Sequence, residues 1–248
     1  MEYFFETVET IPKGVGFKHF DACHLTWLLC FLLLTVSACL LYRRLAPKGR
    51  KIMRYVIAAL TVADEIYKIV GLVAFGNYTP KYLPLHLCSI NIILIAIHAI
   101  RPSKTLNSFL YTVGIPAAMV ALIFPTWTEL PAANFMHIHS FSVHILLALY
   151  PIMLTVNGDI RPETRDIPKC LALLAGLAVI AIGANLWLDT NFMFFSGVSR
   201  GNPLYWFKKA FGNHLVGYPI LVTAVIFIMY APLTAYRLLR AKYNKKTA

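Results

Sequence analysis

The sequence predicts an all-α integral membrane protein, a polytopic helical bundle of about seven transmembrane helices. Three observations predict it. Of 248 residues, 58% are hydrophobic and 14% are charged, with a mean hydropathy of +0.65. That leaves too little polar surface for a soluble domain of this length. The apolar residues fall in runs near 20–42, 52–76, 84–100, 105–125, 136–156, 167–188 and 214–236, most of them close to the ~20 residues that cross a bilayer core. The basic residues, finally, gather in the segments after every second run, where they orient a membrane protein.

No hydrophilic stretch between the runs is long enough to bury a core of its own, so residues 1–248 read as one membrane domain. The first run follows Glu2, Glu6 and Glu9 and lacks the basic start of a secretory signal, so it is expected to be a retained span. The third run is short and opens at Pro84, a residue suited to the first turn of a helix. Pro116, Pro151 and Pro219 fall inside runs and predict kinks or local unwinding. No internal repeat or low-complexity tract interrupts the pattern.

The net charge of +12 raises nucleic acid as a partner, and the placement of the charge excludes it. Sixteen basic residues lie on one predicted side: Arg43, Arg44, Lys48, Arg50, Lys51 and Arg54; Arg101 and Lys104; Arg161, Arg165 and Lys169; and Arg237, Arg240, Lys242, Lys245 and Lys246. The other side holds six: Lys13, Lys18, Lys81, Arg200, Lys208 and Lys209. The asymmetry predicts an N-terminus outside and a C-terminus in the cytoplasm. The five cysteines, Cys23, Cys30, Cys39, Cys88 and Cys170, show neither CxxC nor zinc spacing, so no metal site, cofactor or disulfide framework is expected.

In that orientation the polar residues favour the outer leaflet. His24 opens the first span, Asp64, Glu65 and Lys68 lie beyond the middle of the second, and His86, Cys88, Ser89 and Asn91 open the third. His137, His139 and His144 occupy the outer turns of the fifth, Asn185, Asp189 and Asn191 close the sixth, and His214 opens the seventh. Burying such groups costs several kcal/mol each unless they pair or line a watered space, so an outward-facing polar cavity is expected. Structural roles compete at each position. Asp64 and Lys68 (i,i+4) or Glu65 and Lys68 (i,i+3) form ready ion pairs. His24 and His137 read as solvated interfacial residues, and Cys88 reads as a small apolar filler or, beside His86, as a reactive thiol. His144 shares a helix face with His137 and Ser140 and is expected to point inward. The segment 189–213, with Arg200, Trp206, Lys208 and Lys209, reads as a lipid-phosphate contact or an ordinary amphipathic surface loop.

The stretch Leu83-Pro84-Leu85-His86-Leu87-Cys88, with Glu65 before it and Phe124-Pro125, Tyr150-Pro151-Ile152, Asn191-Phe192-Met193, Pro203, Trp206 and His214 after it, resembles the transmembrane protein 164 and bacterial YwaF families. The resemblance runs in one order from about residue 60 to 220 and implies a membrane acyltransferase. Its eukaryotic members are regarded as moving a fatty acyl chain onto a lysophospholipid through a cysteine beside a histidine. Leu85 stands at the eukaryotic cysteine position, and Cys88 is the cysteine of the bacterial pattern. His86, His144 and His214 match family histidines.

The expected chemistry is therefore acyl transfer or acyl-ester hydrolysis on a phospholipid or lysophospholipid at the outer leaflet. Cys88 is the expected nucleophile, His144 the base, and His86 or His214 a second proton carrier. Asn91 or Asn191 would donate to the oxyanion, while His139, Arg200, Trp206 and Lys208 contribute to substrate binding. The alternative is a transporter or receptor for a small polar solute, with Asp64, Glu65 and Lys68 as coupling charges, and a scaffold role is the third reading. The Leu-Pro-Leu-His-Leu-Cys pattern favours a bacterial cytoplasmic membrane. An Asn77-Tyr78-Thr79 sequon and a terminal dilysine at 245–248 would suit the endoplasmic reticulum of a eukaryote.

Overall fold

Backbone in hydrocarbon must satisfy its hydrogen bonds internally, and the described residues form helices with no strand. The computed structural model describes the backbone of residues 3–247 and the side chains of residues 3–235. Glu2, the side chains of the tail cations Arg237, Arg240, Lys242, Lys245 and Lys246, and with them the side chains of the 245–248 signal, lie outside what is described. The helices are α1 (Ala22–Arg44), α2 (Pro47–Ala74), α3 (Leu87–Ile100), α4 (Lys104–Phe109), α5 (Ile115–Ile123), α6 (Phe135–Val156), α7 (Ile167–Leu188), α8 (Leu204–Phe211) and α9 (Gly217–Thr247).

Their starts follow from local chemistry. Asp21 caps α1 by accepting the His24 N–H at 2.9 Å, and Ser103 caps α4. Asn134 caps α6 by accepting from Met136 and His137. Pro47, Pro116 and Pro168 occupy first turns, where the missing N–H has no partner to lose. Pro116 also explains the join between α4 and α5. It cannot donate to the carbonyl one turn earlier, and a π-helical segment, Leu110–Gly114, lies immediately before it as the ladder shifts register. Pro219 does not kink its helix as expected, because it falls in the first turn of α9; the interior proline there is Pro232.

Among the described residues, five helical stretches are long and apolar enough to cross a membrane: Ala22–Arg44, Lys104–Ile123, Phe135–Val156, Thr164–Leu188 and His214–Ala235. The other two of the seven expected runs are α2 and α3. Helix α2 has 28 residues but holds seven charged ones, and α3 has only 14, about 21 Å at 1.5 Å per residue. The basic stretch 43–54 is also more helical than expected. Arg43 and Arg44 end α1, while Lys48, Arg50, Lys51 and Arg54 ride on the first turns of α2.

Helix α6 is the axis of the bundle. It packs against α1, α2, α3 and α5 and buries Phe141, Leu147, Ala148, Tyr150, Met153 and Leu154 almost completely. Helices α1, α7 and α9 instead expose Leu29, Leu33, Val179, Trp187, Phe227 and Ile228, as outer helices facing lipid do. Apolar surface on both the inside and the outside marks an integral membrane protein.

His24 and His137 are not solvated. Both are fully buried. The Nε2 of His24 donates to the Leu122 carbonyl at 2.7 Å, and its Nδ1 accepts the Phe20 N–H at 2.9 Å. In His137 the Nδ1 donates to the Leu130 carbonyl at 3.1 Å, and the Nε2 accepts the Trp27 indole N–H at 2.9 Å. The Leu122 carbonyl in the last turn of α5 and the Leu130 carbonyl in the loop after it are buried from water, so the imidazoles satisfy them. The N-terminal segment joins the same seam, where the Phe17 N–H bonds the Thr128 carbonyl at 2.9 Å.

Two substitutions test this end of the bundle. A Cβ at Gly16 would lie 2.0 Å from the Thr128 carbonyl oxygen, so Gly16→Ala should destabilise by about 3 kcal/mol, read as a lowered thermal transition in detergent. Asp21 has its carboxyl held below the usual 3.8, first by the Lys18 N–H and then by the His24 N–H. A carboxylate with a depressed folded pKa stabilises above its unfolded value and loses that contribution as pH falls through the folded one. Wild type should therefore lose more thermal stability than Asp21→Asn between pH 7 and pH values below 3.8. Equal acid sensitivity would remove the cap from that account.

Candidate functional site

Helix α2 places Asp64, Glu65 and Lys68 within a five-residue stretch, on the turns that face α6. Glu65 and Lys68 are buried, and the Lys68 ammonium meets the Glu65 carboxylate at 2.5 Å. From α6, His139 comes within 3.4 Å of Asp64 and 3.8 Å of Glu65. The Ser142 hydroxyl lies 3.0 Å from one Asp64 oxygen and 3.1 Å from the other, with the His139 carbonyl a further acceptor at 3.1 Å. His139 is 5% exposed and its Nδ1 makes no well-angled hydrogen bond, so this seam holds two carboxylates, one ammonium and one incompletely satisfied imidazole. The i,i+3 spacing supplied the Glu65–Lys68 pair from sequence. The contribution of Ser142 was not anticipated, although it follows His139 at the same helical spacing.

His144 lies a little over one turn beyond His139 on α6. Its ring stacks on Trp127 with centroids 5.3 Å apart and 12° between planes. Its Nδ1 lies 2.5 Å from the Ser140 carbonyl. A carbonyl only accepts, so Nδ1 carries the proton, and in the neutral ring Nε2 presents a lone pair. Lys68 lies within electrostatic range of both His144 and His86, which links the α2–α6 cluster to the start of α3.

His86 is the N-cap residue of α3. Its Nδ1 accepts the Met193 N–H at 3.3 Å, and its ring sits against Phe192 and Phe194. In its neutral form it therefore keeps a proton on Nε2. His214 reaches the same turn from the short 3-10 segment just before α9, where its Nε2 donates to the Phe194 carbonyl at 3.0 Å, and the Tyr218 hydroxyl on α9 donates to the Met193 carbonyl at 2.5 Å. Met193 and Phe194 have φ of 53° and 62°, a left-handed conformation that such side chains adopt only when the surroundings impose it. Tyr218 carried no signal in the sequence.

Cys88 lies half-buried on the first turn of α3 and packs against the main apolar core. Asn91, i+3 from it, is 1% exposed, and neither polar atom of its carboxamide has a hydrogen-bond partner. A buried amide left unpaired costs about 1–3 kcal/mol, so it needs a reason.

The remaining expected residues have other surroundings. Asn191 spends its carboxamide inside its own loop, donating to the Gly197 carbonyl and accepting from the Ser196 and Gly197 N–H groups. Arg200 and Lys208 are exposed, and Trp206 is 77% exposed on α8. The segment 189–213 is not a plain loop, because α8 forms a short amphipathic helix within it. Nor are buried polar groups confined to one end. His98, which the sequence did not single out, contacts the Tyr150 hydroxyl at 2.9 Å and Asn107 at 2.7 Å, and Tyr42 donates to Asp159 at the same end of α6.

Paired charges around a central helix, jacketed by lipid-facing helices, define a polytopic membrane protein with a polar interior. The family model of the TMEM164 family matches residues 16–230, and the chain belongs to that family. No curated protein and no solved structure matches it.

The ion pair gives a direct prediction. Glu65→Leu leaves the Lys68 ammonium buried beside a weaker set of partners and should cost about 3–5 kcal/mol. The double variant Glu65→Leu/Lys68→Met should be more stable than Glu65→Leu alone. Thermal denaturation of the purified variants decides it, and additive losses would mean that the two charges do not stabilise each other.

Proposed function

We propose that the chain is a membrane acyltransferase that forms or hydrolyses acyl esters of phospholipids, with Cys88 as its nucleophile. The observation that carries this reading is the Asn91 carboxamide, buried without a partner one turn from Cys88 on α3. An amide that finds no acceptor in the resting protein is suited to an oxyanion that exists only during reaction. Asn191, engaged in its loop, is the poorer donor of the two.

The histidines divide by tautomer. His144, with its proton on Nδ1, offers the Nε2 lone pair as general base toward the Cys88 thiol. The thiolate attacks the ester carbonyl, the carbonyl electrons move onto oxygen, and Asn91 donates to that oxygen. As the tetrahedral adduct collapses, the lysophospholipid leaves as its alcohol with a proton from imidazolium, and a thioester remains on Cys88. An acceptor alcohol or water then reverses the sequence. His86, with Nε2 protonated, is the second acid, while His214 holds the 192–194 turn. His139 belongs to the charge cluster, and Arg200, Trp206 and Lys208 face the membrane surface, where phosphate and aromatic contacts draw lipid toward the bundle.

The same reading takes α2 and α3 as spans six and seven of the count, with the N-terminus outside and the site in the outer leaflet of a bacterial cytoplasmic membrane. The sixteen-to-six distribution of basic residues supports it. The length of α2 supports it too, since its mid-helix charges turn toward α6 rather than lipid. One observation favours a second reading. The seam of Asp64, Glu65, Lys68 and His139 resembles the paired intramembrane charges that carry ions or polar solutes in transporters.

Asn91 separates catalysis from structure. Asn91→Leu removes an unsatisfied buried amide, so its thermal transition should stay level or rise, while transfer of a labelled acyl chain in proteoliposomes falls about 100-fold. Cys88→Ser should lower the same activity by orders of magnitude at unchanged fold. Full activity in both variants would sink the acyltransferase reading of this site. Solute uptake by the same proteoliposomes, abolished by Glu65→Gln, would favour the transporter.

A further inference from the structure

At the opposite end of the bundle from the Cys88 region, a cavity of about 490 Å³ lies between the last turn of α1, the first turns of α2 and the last turn of α6. Its walls are Cys39, Leu40, Arg43, Arg50, Val156 and Asn157. Nothing in the proposed chemistry uses it. Arg50 is held over the Tyr42 ring at 5.3 Å. Its Nε donates to the Leu45 carbonyl at 3.1 Å and one Nη to the Arg43 carbonyl at 3.2 Å. The guanidinium is thereby fixed with donors to spare. The Arg43 side chain is exposed and makes no hydrogen bond among the described residues.

The electrostatics of this corner are one-sided. Helix α2 begins with no side-chain cap and no acidic residue in its first turn. It carries Lys48, Arg50 and Lys51 there instead, at the positive end of its macrodipole, with Arg43 and Arg44 beside them on α1. Arg54, one turn past Arg50, has a buried Nε without a hydrogen-bond partner. Of the carboxylates in the 157–166 connection, Asp159 accepts from the Tyr42 hydroxyl and Glu163 pairs with Arg165. Cations crowded onto a helix start repel one another and the helix, and an anion between them relieves both.

We propose that this cavity binds a phosphate group, carried by an anionic phospholipid headgroup, between Arg43 and Arg50. The walls favour a lipid as the carrier. Leu40 is 55% exposed and Val156 68% exposed, giving the start of the acyl chains an apolar face to lie on. The Asn157 amide donates to the Cys39 and Met153 carbonyls, and its carbonyl oxygen stays available to accept from a headgroup hydroxyl. This site is independent of Cys88, and its test reads no acyl transfer.

The test is native mass spectrometry of the full chain released from micelles doped with phosphatidylglycerol or phosphatidylcholine, with inorganic phosphate as a third arm. Phosphatidylglycerol should be retained in preference to phosphatidylcholine, and each of Arg43→Gln and Arg50→Gln should weaken that preference about fivefold. Lys169→Gln, which removes an exposed cation from the start of α7, should leave it unchanged. Arg43→Gln keeps the test valid should Arg50→Gln fail to fold, because the Arg43 side chain holds no part of the structure. Retention of inorganic phosphate without phosphatidylglycerol would overturn the lipid source. Equal retention of both lipids, or a preference unaltered in both arginine variants, would overturn the site.

Discussion

Helix α2 carries three charges near its middle, and the hydrocarbon around a bundle offers them nothing. An unpaired carboxylate or ammonium there costs several kcal/mol even after relaxation, so Asp64, Glu65 and Lys68 must turn toward α6. That requirement fixes the rotation of α2. With Glu65, Lys68 and Leu72 directed inward, Ile66, Val70 and Val73 are left on the outer face, each at least half exposed. It also fixes what α6 must supply at that level. His139 and Ser142 occupy positions where Leu or Phe would leave Asp64 unsatisfied.

The consequences reach beyond α2. Because α6 contacts most of the other spans, its register against α2 sets where His137, His144 and Tyr150 meet α1, the 124–134 loop and α3. Lys68 then lies in electrostatic range of His86 and His144, which ties the charge seam to the region where α3 begins. A second constraint acts from the far side. His86, His214 and Tyr218 hold the turn at Met193–Phe194, while Asn185 secures the Phe192 backbone by accepting its N–H at 2.6 Å and donating to its carbonyl at 3.0 Å. Three helices, α3, α7 and α9, are thereby fastened to one left-handed turn whose strain no single contact would sustain.

The hydropathy made the helices legible in the sequence, and the boundaries of α1, α6 and α7 follow it closely, whereas α3 begins at Leu87 with His86 as its N-cap rather than at Pro84 as expected. Pairings within one helix were legible too, since Glu65 and Lys68 are neighbours by spacing alone. What joins helices was not. His139 looked like one of three similar histidines on one segment, yet His137 bonds a loop carbonyl and an indole, His139 meets carboxylates, and His144 stacks on a tryptophan. Spacing along α6 cannot distinguish these fates, because each depends on the element opposite. His24 and His137 were misread for the same reason: proximity to an interface was taken for contact with water, when a covering N-terminal segment and loop bury both. His98 and Tyr218 gave no signal, as each is defined by a partner more than twenty residues away or by a turn that only the fold creates.

Backbone carbonyls and amides, rather than other side chains, decide what several of these imidazoles can do. A carbonyl can only accept, so the ring nitrogen facing Ser140 in His144, Leu130 in His137 or Phe194 in His214 must carry a proton. A backbone N–H can only donate, so the Met193 amide leaves the His86 proton on the far nitrogen. His137 then has its second nitrogen filled by the Trp27 indole, and the whole ring is structural. Among the described residues, the second nitrogen of His144 is left with an open lone pair, and that of His86 with an open donor. Among these similar residues, therefore, a ring with an open acceptor and a ring with an open donor are separated from structural cross-links by which backbone group each meets.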